Sequence, residues 1–99
     1  METKKIKTID IQTIKWFDKI NGNTYFAQRI TLNYGLKDEV TIINQFQYGY
    51  SSYRSEAFKC LQKNGYMLKC GSLYETEKKY NIITRESERY GLKRELINI

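Results

Sequence analysis

Phe46-Gln47-Tyr48-Gly49-Tyr50-Ser51-Ser52-Tyr53 ends one kind of pattern and begins another. Before it, apolar residues alternate. After it, they recur at helical spacing. The segment places four aromatic rings around a single glycine, so a strand ends here, the backbone turns, and a helix is capped. By parity, Phe46 and Tyr48 fall with Val40 and Ile42 on the expected core face. Tyr53 opens the buried stripe of the helix, and Tyr50, beside Gly49, is left as the ring expected to meet solvent.

The helix is read from Tyr53, Ala57, Cys60 and Leu61, which lie at i, i+4, i+7 and i+8, with Phe58 beside them. Ser51 or Ser52 is a suitable N-cap and Glu56 suits the first turn. Asn64-Gly65 marks the stop, because glycine enters the left-handed conformation cheaply. Lys59 and Lys63 fall on the outer side.

Upstream, Phe26, Ile30, Leu32 and Tyr34 occupy one parity of a half-buried strand. Asn21-Gly22 joins it to an extended segment, Ile6 to Phe17, as a hairpin. In that segment the apolar parity shifts from Ile9 and Ile11 to Ile14 and Trp16, which predicts a bulge near Gln12-Thr13. Gly35 to Asp38 forms the next turn. Three strands with short connections make a meander whose even-numbered faces point at the helix.

Downstream of the helix, Tyr66 to Cys70 has no decisive pattern and is compatible with a short strand. Ser72-Leu73-Tyr74-Glu75 has the form of a capping box opening a two-turn helix through Tyr80. Asn81 to Arg89 returns to strand character. Leu92 to Ile99 is compatible with a strand or a short helix. The expected fold is a single α+β domain over residues 1–99: an antiparallel β-meander of three to five strands with one main α-helix packed on one face.

The 99 residues carry 17 basic and 11 acidic side chains, a net charge of +6. Residues 1–50 contribute +2 and residues 51–99 contribute +4. Such an excess favours polyanionic partners through long-range attraction and counterion release. No apolar run approaches the roughly 20 residues a membrane helix needs. The basic start, Lys4, Lys5 and Lys7, has no continuous apolar segment behind it, so a secretory signal is not expected and a cytoplasmic location is.

Catalytic chemistry finds little to build on. The chain has no histidine, which removes the commonest general base and transition-metal ligand together. Cys60 and Cys70 are expected as free, partly buried thiols. Lysine neighbours Lys59 and Lys69 are adjacent in sequence, but adjacency on a helix does not bring side chains together. Glu86 and Glu88 share a strand face, and their alternation with Arg85 and Arg89 describes a solvated, salt-bridged strand. No enzyme, metal site or cofactor is expected.

The binding features are more informative. Bases stack on tyrosine faces while lysine and arginine neutralise phosphates, so interleaving the two suits single-stranded nucleic acid. Tyr48, Tyr50, Tyr53 and Arg54, with Lys59 and Lys63 along the helix, fit that description, although Tyr48 and Tyr53 are expected to pack between sheet and helix and Tyr50 to be the exposed ring. Two further basic pairs are Lys5 with Lys7 and Arg85 with Arg89, each expected to share a strand face; Lys93 and Arg94 extend the latter group. Tyr50, Arg54, Lys59, Lys63, Lys5, Lys7, Arg85 and Arg89 are the candidate partner- or nucleic-acid-binding set.

Ile14-Lys15-Trp16-Phe17-Asp18-Lys19, Asn21-Gly22-Asn23-Thr24-Tyr25-Phe26, Phe46-Gln47-Tyr48-Gly49-Tyr50 and Leu92-Lys93-Arg94-Glu95 together resemble small proteins encoded by phages and mobile elements. By type, that resemblance implies a stoichiometric inhibitor of host defence, of the anti-CRISPR kind. Three strands followed by a helix is also the order of the double-stranded RNA-binding domain. That family, however, opens with a helix and starts its last one with paired lysines, whereas here the helix begins Tyr53-Arg54-Ser55.

The leading expectation is a non-catalytic binding protein that engages a nucleic-acid-guided defence effector, such as a CRISPR nuclease, or the RNA it holds, in the host cytoplasm. A direct RNA- or DNA-binding regulator is the second. A phage accessory or structural subunit, recognisable by a large stable homo-oligomer, is the third. Tyr50→Ala is expected to spare the fold and weaken partner binding, whereas a fully buried Phe46 truncated to alanine costs about 3–5 kcal/mol. Thermal denaturation of the two variants compares them.

Overall fold

The computed structural model describes residues 2–49 and 52–99. Tyr50 and Ser51, and with them the readings of an exposed Tyr50 and a Ser51 cap, lie outside the described residues. A 3-10 turn (Thr3–Lys5) leads into strands β1 (Thr8–Asp18), β2 (Asn23–Leu32) and β3 (Val40–Tyr48). Helices α1 (Tyr53–Lys63) and α2 (Leu73–Tyr80) follow, then strand β4 (Ile83–Tyr90) and a short helix α3 (Lys93–Ile97).

The first three strands form the expected antiparallel meander. The sheet as a whole is mixed, because β4 lies parallel to β1 and completes the order β3-β2-β1-β4. An antiparallel partner needs only a tight turn, whereas a parallel one needs a long crossover. Here α1 and α2 supply it.

Each helix obeys local chemistry. Ser52 accepts a hydrogen bond from the Ser55 amide and so caps α1. At its far end Gly65 takes φ +91°, Tyr66 N–H reaches the Leu61 carbonyl and Gly65 N–H the Gln62 carbonyl. That is a Schellman stop. Ser72 caps α2 by accepting from Glu75 N–H. Asn81, left-handed at φ +56°, ends it. Between the helices, Tyr66 to Cys70 is a turn in which Met67 is left-handed and buried.

Register divides the side chains between two faces. Ile9 opposes Leu32, Ile11 opposes Ile30, and Ile30 opposes Ile42. This face meets Ala57, Phe58, Cys60 and Leu61 of α1 and Leu73 of α2, all buried. The opposite face carries Asp10, Gln12, Ile14 and Trp16 of β1 and is crossed by α3, whose Leu96 is fully buried.

The predicted bulge near Gln12-Thr13 is absent. β1 pairs with β2 residue by residue from Ile9–Leu32 to Asp18–Asn23. The parity change marks two covered faces: Ile9 and Ile11 point at α1, while Ile14 and Trp16 point towards α3. A strand covered on both sides loses clean alternation.

The irregularity lies in β3 instead. Asn44 opposes Gln28 and Gln47 opposes Phe26, so Gln45 and Phe46 together face Ala27. This extra residue moves Phe46 and Tyr48 off the core face. Phe46 is half-buried, Tyr48 is 60% exposed, and Phe26 takes the core position against Tyr53. Gly49, at φ +148°, turns the chain beneath that ring; a Cβ there would come within 3.3 Å of Phe26.

A polar knot backs the bulge. Gln28, fully buried, donates to Thr13 Oγ1 at 3.2 Å and to the Tyr53 carbonyl at 2.8 Å, and accepts from Asn44 Nδ2 at 2.7 Å. Gln47 in turn donates to Asn44 Oδ1 at 2.6 Å. Phe26→Ala is therefore expected to cost about 3–5 kcal/mol, and the half-buried Phe46→Ala only about 1–2 kcal/mol. Urea denaturation followed by circular dichroism checks the order.

Candidate functional site

Tyr50 lies outside the described residues, and the other seven sequence-selected residues do not form one patch. Arg54 leaves α1 to donate to Glu77 of α2 and, at 3.0 Å, to Glu86 of β4. Its side chain is 32% exposed and that of Glu77 is 18% exposed. Hydrogen bonding to Glu77 is the main cause holding the guanidinium pKa above its usual value. Arg54 is thus a clamp that fastens both arms of the crossover.

Arg85 and Arg89 do share a face of β4, the one turned away from α1. Arg85 pairs with Asp10 at 2.8 Å and Arg89 with Glu95 of α3 at 2.7 Å. Lys5 and Lys7 are exposed, but they do not share a strand face, because the 3-10 turn ends at Lys5 and β1 starts only at Thr8. Lys59 and Lys63 stand on the outer side of α1 as expected; Lys59 reaches Glu56 at 3.6 Å and stays 72% exposed.

A cleft opens at the N-terminus of α1, lined by Lys15, Thr24, Ser52, Tyr53, Arg54, Glu86, Glu88 and Tyr90. Lys15 Nζ lies 4.6 Å from the Tyr90 ring centroid and 5.8 Å from that of Tyr53, a cation–π arrangement built from the chain's own ammonium. Burial, then the charge of Glu88, pushes the Tyr53 hydroxyl pKa up. Two cations face two carboxylates here, so the cleft offers no net attraction to a phosphate.

Burial also pushes the Cys60 thiol up, against a smaller opposing effect of Lys63. Cys60 is thereby kept as a thiol rather than a nucleophilic thiolate. Cys70 is also free, and among the described residues no group of three or more acidic, cysteine or histidine side chains is placed to hold a metal.

The arrangement that sequence reasoning missed lies on the α3 side of the sheet. Trp16, Tyr25 and Phe46 stand on neighbouring strands and stack ring to ring. Centroids are 5.6 and 5.1 Å apart and interplanar angles 29° and 9°. Tyr48 meets Tyr25 edge-on at 5.7 Å. Lys93 of α3 places its ammonium 5.5 Å from the Trp16 ring centroid, covering that end of the column. Trp16 opposes Tyr25 because Lys19 to Gly22 forms a four-residue loop closed by Asp18 and Asn23, a register that the Asn21-Gly22 signal alone does not set. Phe46 joins them only because the bulge moves it.

Comparison of the chain with protein-family models, with curated protein sequences and with solved structures finds no match.

The hydrogen bond from Arg89 holds the Glu95 carboxyl below its ordinary value of 4.5, with burial opposing. A depressed folded-state value means that this contribution is present above about pH 4.5. It is lost as pH falls through the lower folded value. Trp16 emission, sensitive to Lys93 on the same helix, is expected to report this as an acid step that Glu95→Gln removes.

Proposed function

We propose that this protein is a non-catalytic binding protein, a stoichiometric inhibitor of phage type that engages a nucleic-acid-guided defence effector or the RNA it holds. The observation that carries this reading is how the charge is divided. Of the chain's five arginines, Arg54, Arg85 and Arg89 are committed to carboxylates, and Arg29 donates to the Ile99 main-chain oxygen at 2.8 Å. Those pairs also consume Asp10, Glu77, Glu86 and Glu95.

The lysines are spent differently. Among the described residues only Lys4 and Lys59 reach a carboxylate, and both pairs are long with an exposed ammonium, the Glu56 partner of Lys59 being half-buried. Pairs of that kind contribute little to stability. The positive excess therefore resides on mobile surface ammonium groups, including Lys5, Lys7 and Lys63, which attract phosphates as point charges without needing fixed geometry. The resemblance to small phage-encoded proteins supplies the choice of a defence effector as the target.

A second reading, direct binding of nucleic acid as a regulator, is favoured by the aromatic column, since rings beside cations suit unstacked bases. Titration into a purified guided nuclease with its guide is expected to abolish target cleavage near one inhibitor per effector complex. The combined Lys59→Glu and Lys63→Glu variant, with charge reversed on the exposed side of α1, is expected to weaken the inhibition. Full cleavage at a large excess of folded protein, across the guided nucleases of co-occurring hosts, would falsify the reading.

A further inference from the structure

We infer that the β3 end of the aromatic column is a stacking site for an unpaired base of a single-stranded nucleic acid. The inference rests on the reading of a nucleic-acid-holding partner and specifies the part of that partner which is touched.

The column is a stack with one end closed and one end open. Trp16, Tyr25 and Phe46 rise from β1, β2 and β3, and their 5.6 and 5.1 Å separations follow the spacing of adjacent strands. Each inner ring face is covered by its neighbour. Lys93 covers the outer face of Trp16. At the other end β3 is an edge strand, with no described strand beyond it. The stack therefore stops at Phe46, half-buried, and Tyr48, 60% exposed.

A planar π-system placed there continues the stack and removes apolar ring surface from water. A nucleobase fits because every base presents such a face. Charge selects a nucleic acid over an aromatic peptide: the chain carries +6, and Lys93 and Arg94 extend from α3 on the same side of the sheet. Stacking on ring faces makes no use of base edges, so the site is tolerant of sequence, and it requires a base free of a duplex.

The test measures fluorescence anisotropy of a labelled oligouridine with the full chain, at low and high salt. Binding that weakens with salt is expected, and Tyr48→Ala reduces the affinity about tenfold. Phe46→Leu, which keeps apolar bulk and removes the ring, is expected to weaken it similarly. Tyr74→Ala is the control: Tyr74 is 63% exposed on α2 with Lys78 over its ring, but belongs to no column. Circular dichroism confirms that each variant is folded.

The inference is overturned if the wild-type chain binds no oligouridine, if Tyr48→Ala and Phe46→Leu bind like wild type, or if Tyr74→Ala weakens binding equally. Effector inhibition measured on the same variants separates the two ideas. Inhibition that survives Tyr48→Ala and Phe46→Leu leaves the inhibitor reading standing without this contact.

Discussion

One extra residue in β3 governs the organisation of the exposed surface. With Gln45 and Phe46 both facing Ala27, the strand serves the core with Val40 and Ile42 and the opposite face with Phe46 and Tyr48. A strand's side chains alternate strictly, so only such an insertion can make one strand change faces partway along. Three consequences follow together. Phe26 alone fills the core beneath Tyr53, Gln28 is free to tie Thr13, Asn44 and the start of α1, and the displaced aromatics meet Tyr25 and Trp16 on the other side.

Holding β4 against β1 poses a separate problem. The strand is exposed along nearly its whole length and contributes little apolar burial. Its attachment is the β1 ladder supplemented by side-chain pairs on both faces: Arg54 to Glu86 on one, Arg85 to Asp10 and Arg89 to Glu95 on the other. Arginine suits this work because its planar guanidinium offers several donors at once; Arg54 uses two of its nitrogens on two carboxylates. The same economy leaves the lysines, flexible and well hydrated, as carriers of the uncompensated charge.

The candidate binding features therefore separate by residue type. Arg54, Arg85 and Arg89, selected from the sequence as partner contacts, also make ion pairs within the chain, with Arg85 and Arg89 more than half exposed, and the cleft at the head of α1 is charge-balanced. Lys63 on the outer side of α1 and Lys5 and Lys7 before β1 are exposed and make no ion pair among the described residues. The rings capable of stacking lie on the far face of the sheet, where α3 anchors one end of the column through Lys93.

Local chemistry was legible in the chain. The Asn21-Gly22 hairpin, the Ser52 and Ser72 caps, the Gly65 stop and the span of α2 all depend on groups a few residues apart, and each forms as its sequence dictates. The α+β class follows from those elements. The parallel placement of β4, the bulge in β3 and the coverage of both sheet faces were decided only in the tertiary structure. Each depends on residues far apart in the chain: Arg54 with Glu77 and Glu86, Gln28 with Asn44, Trp16 with Lys93. For Phe46–Tyr48 the same alternation fits two opposite faces, and only the opposing strand determines where an extra residue sits.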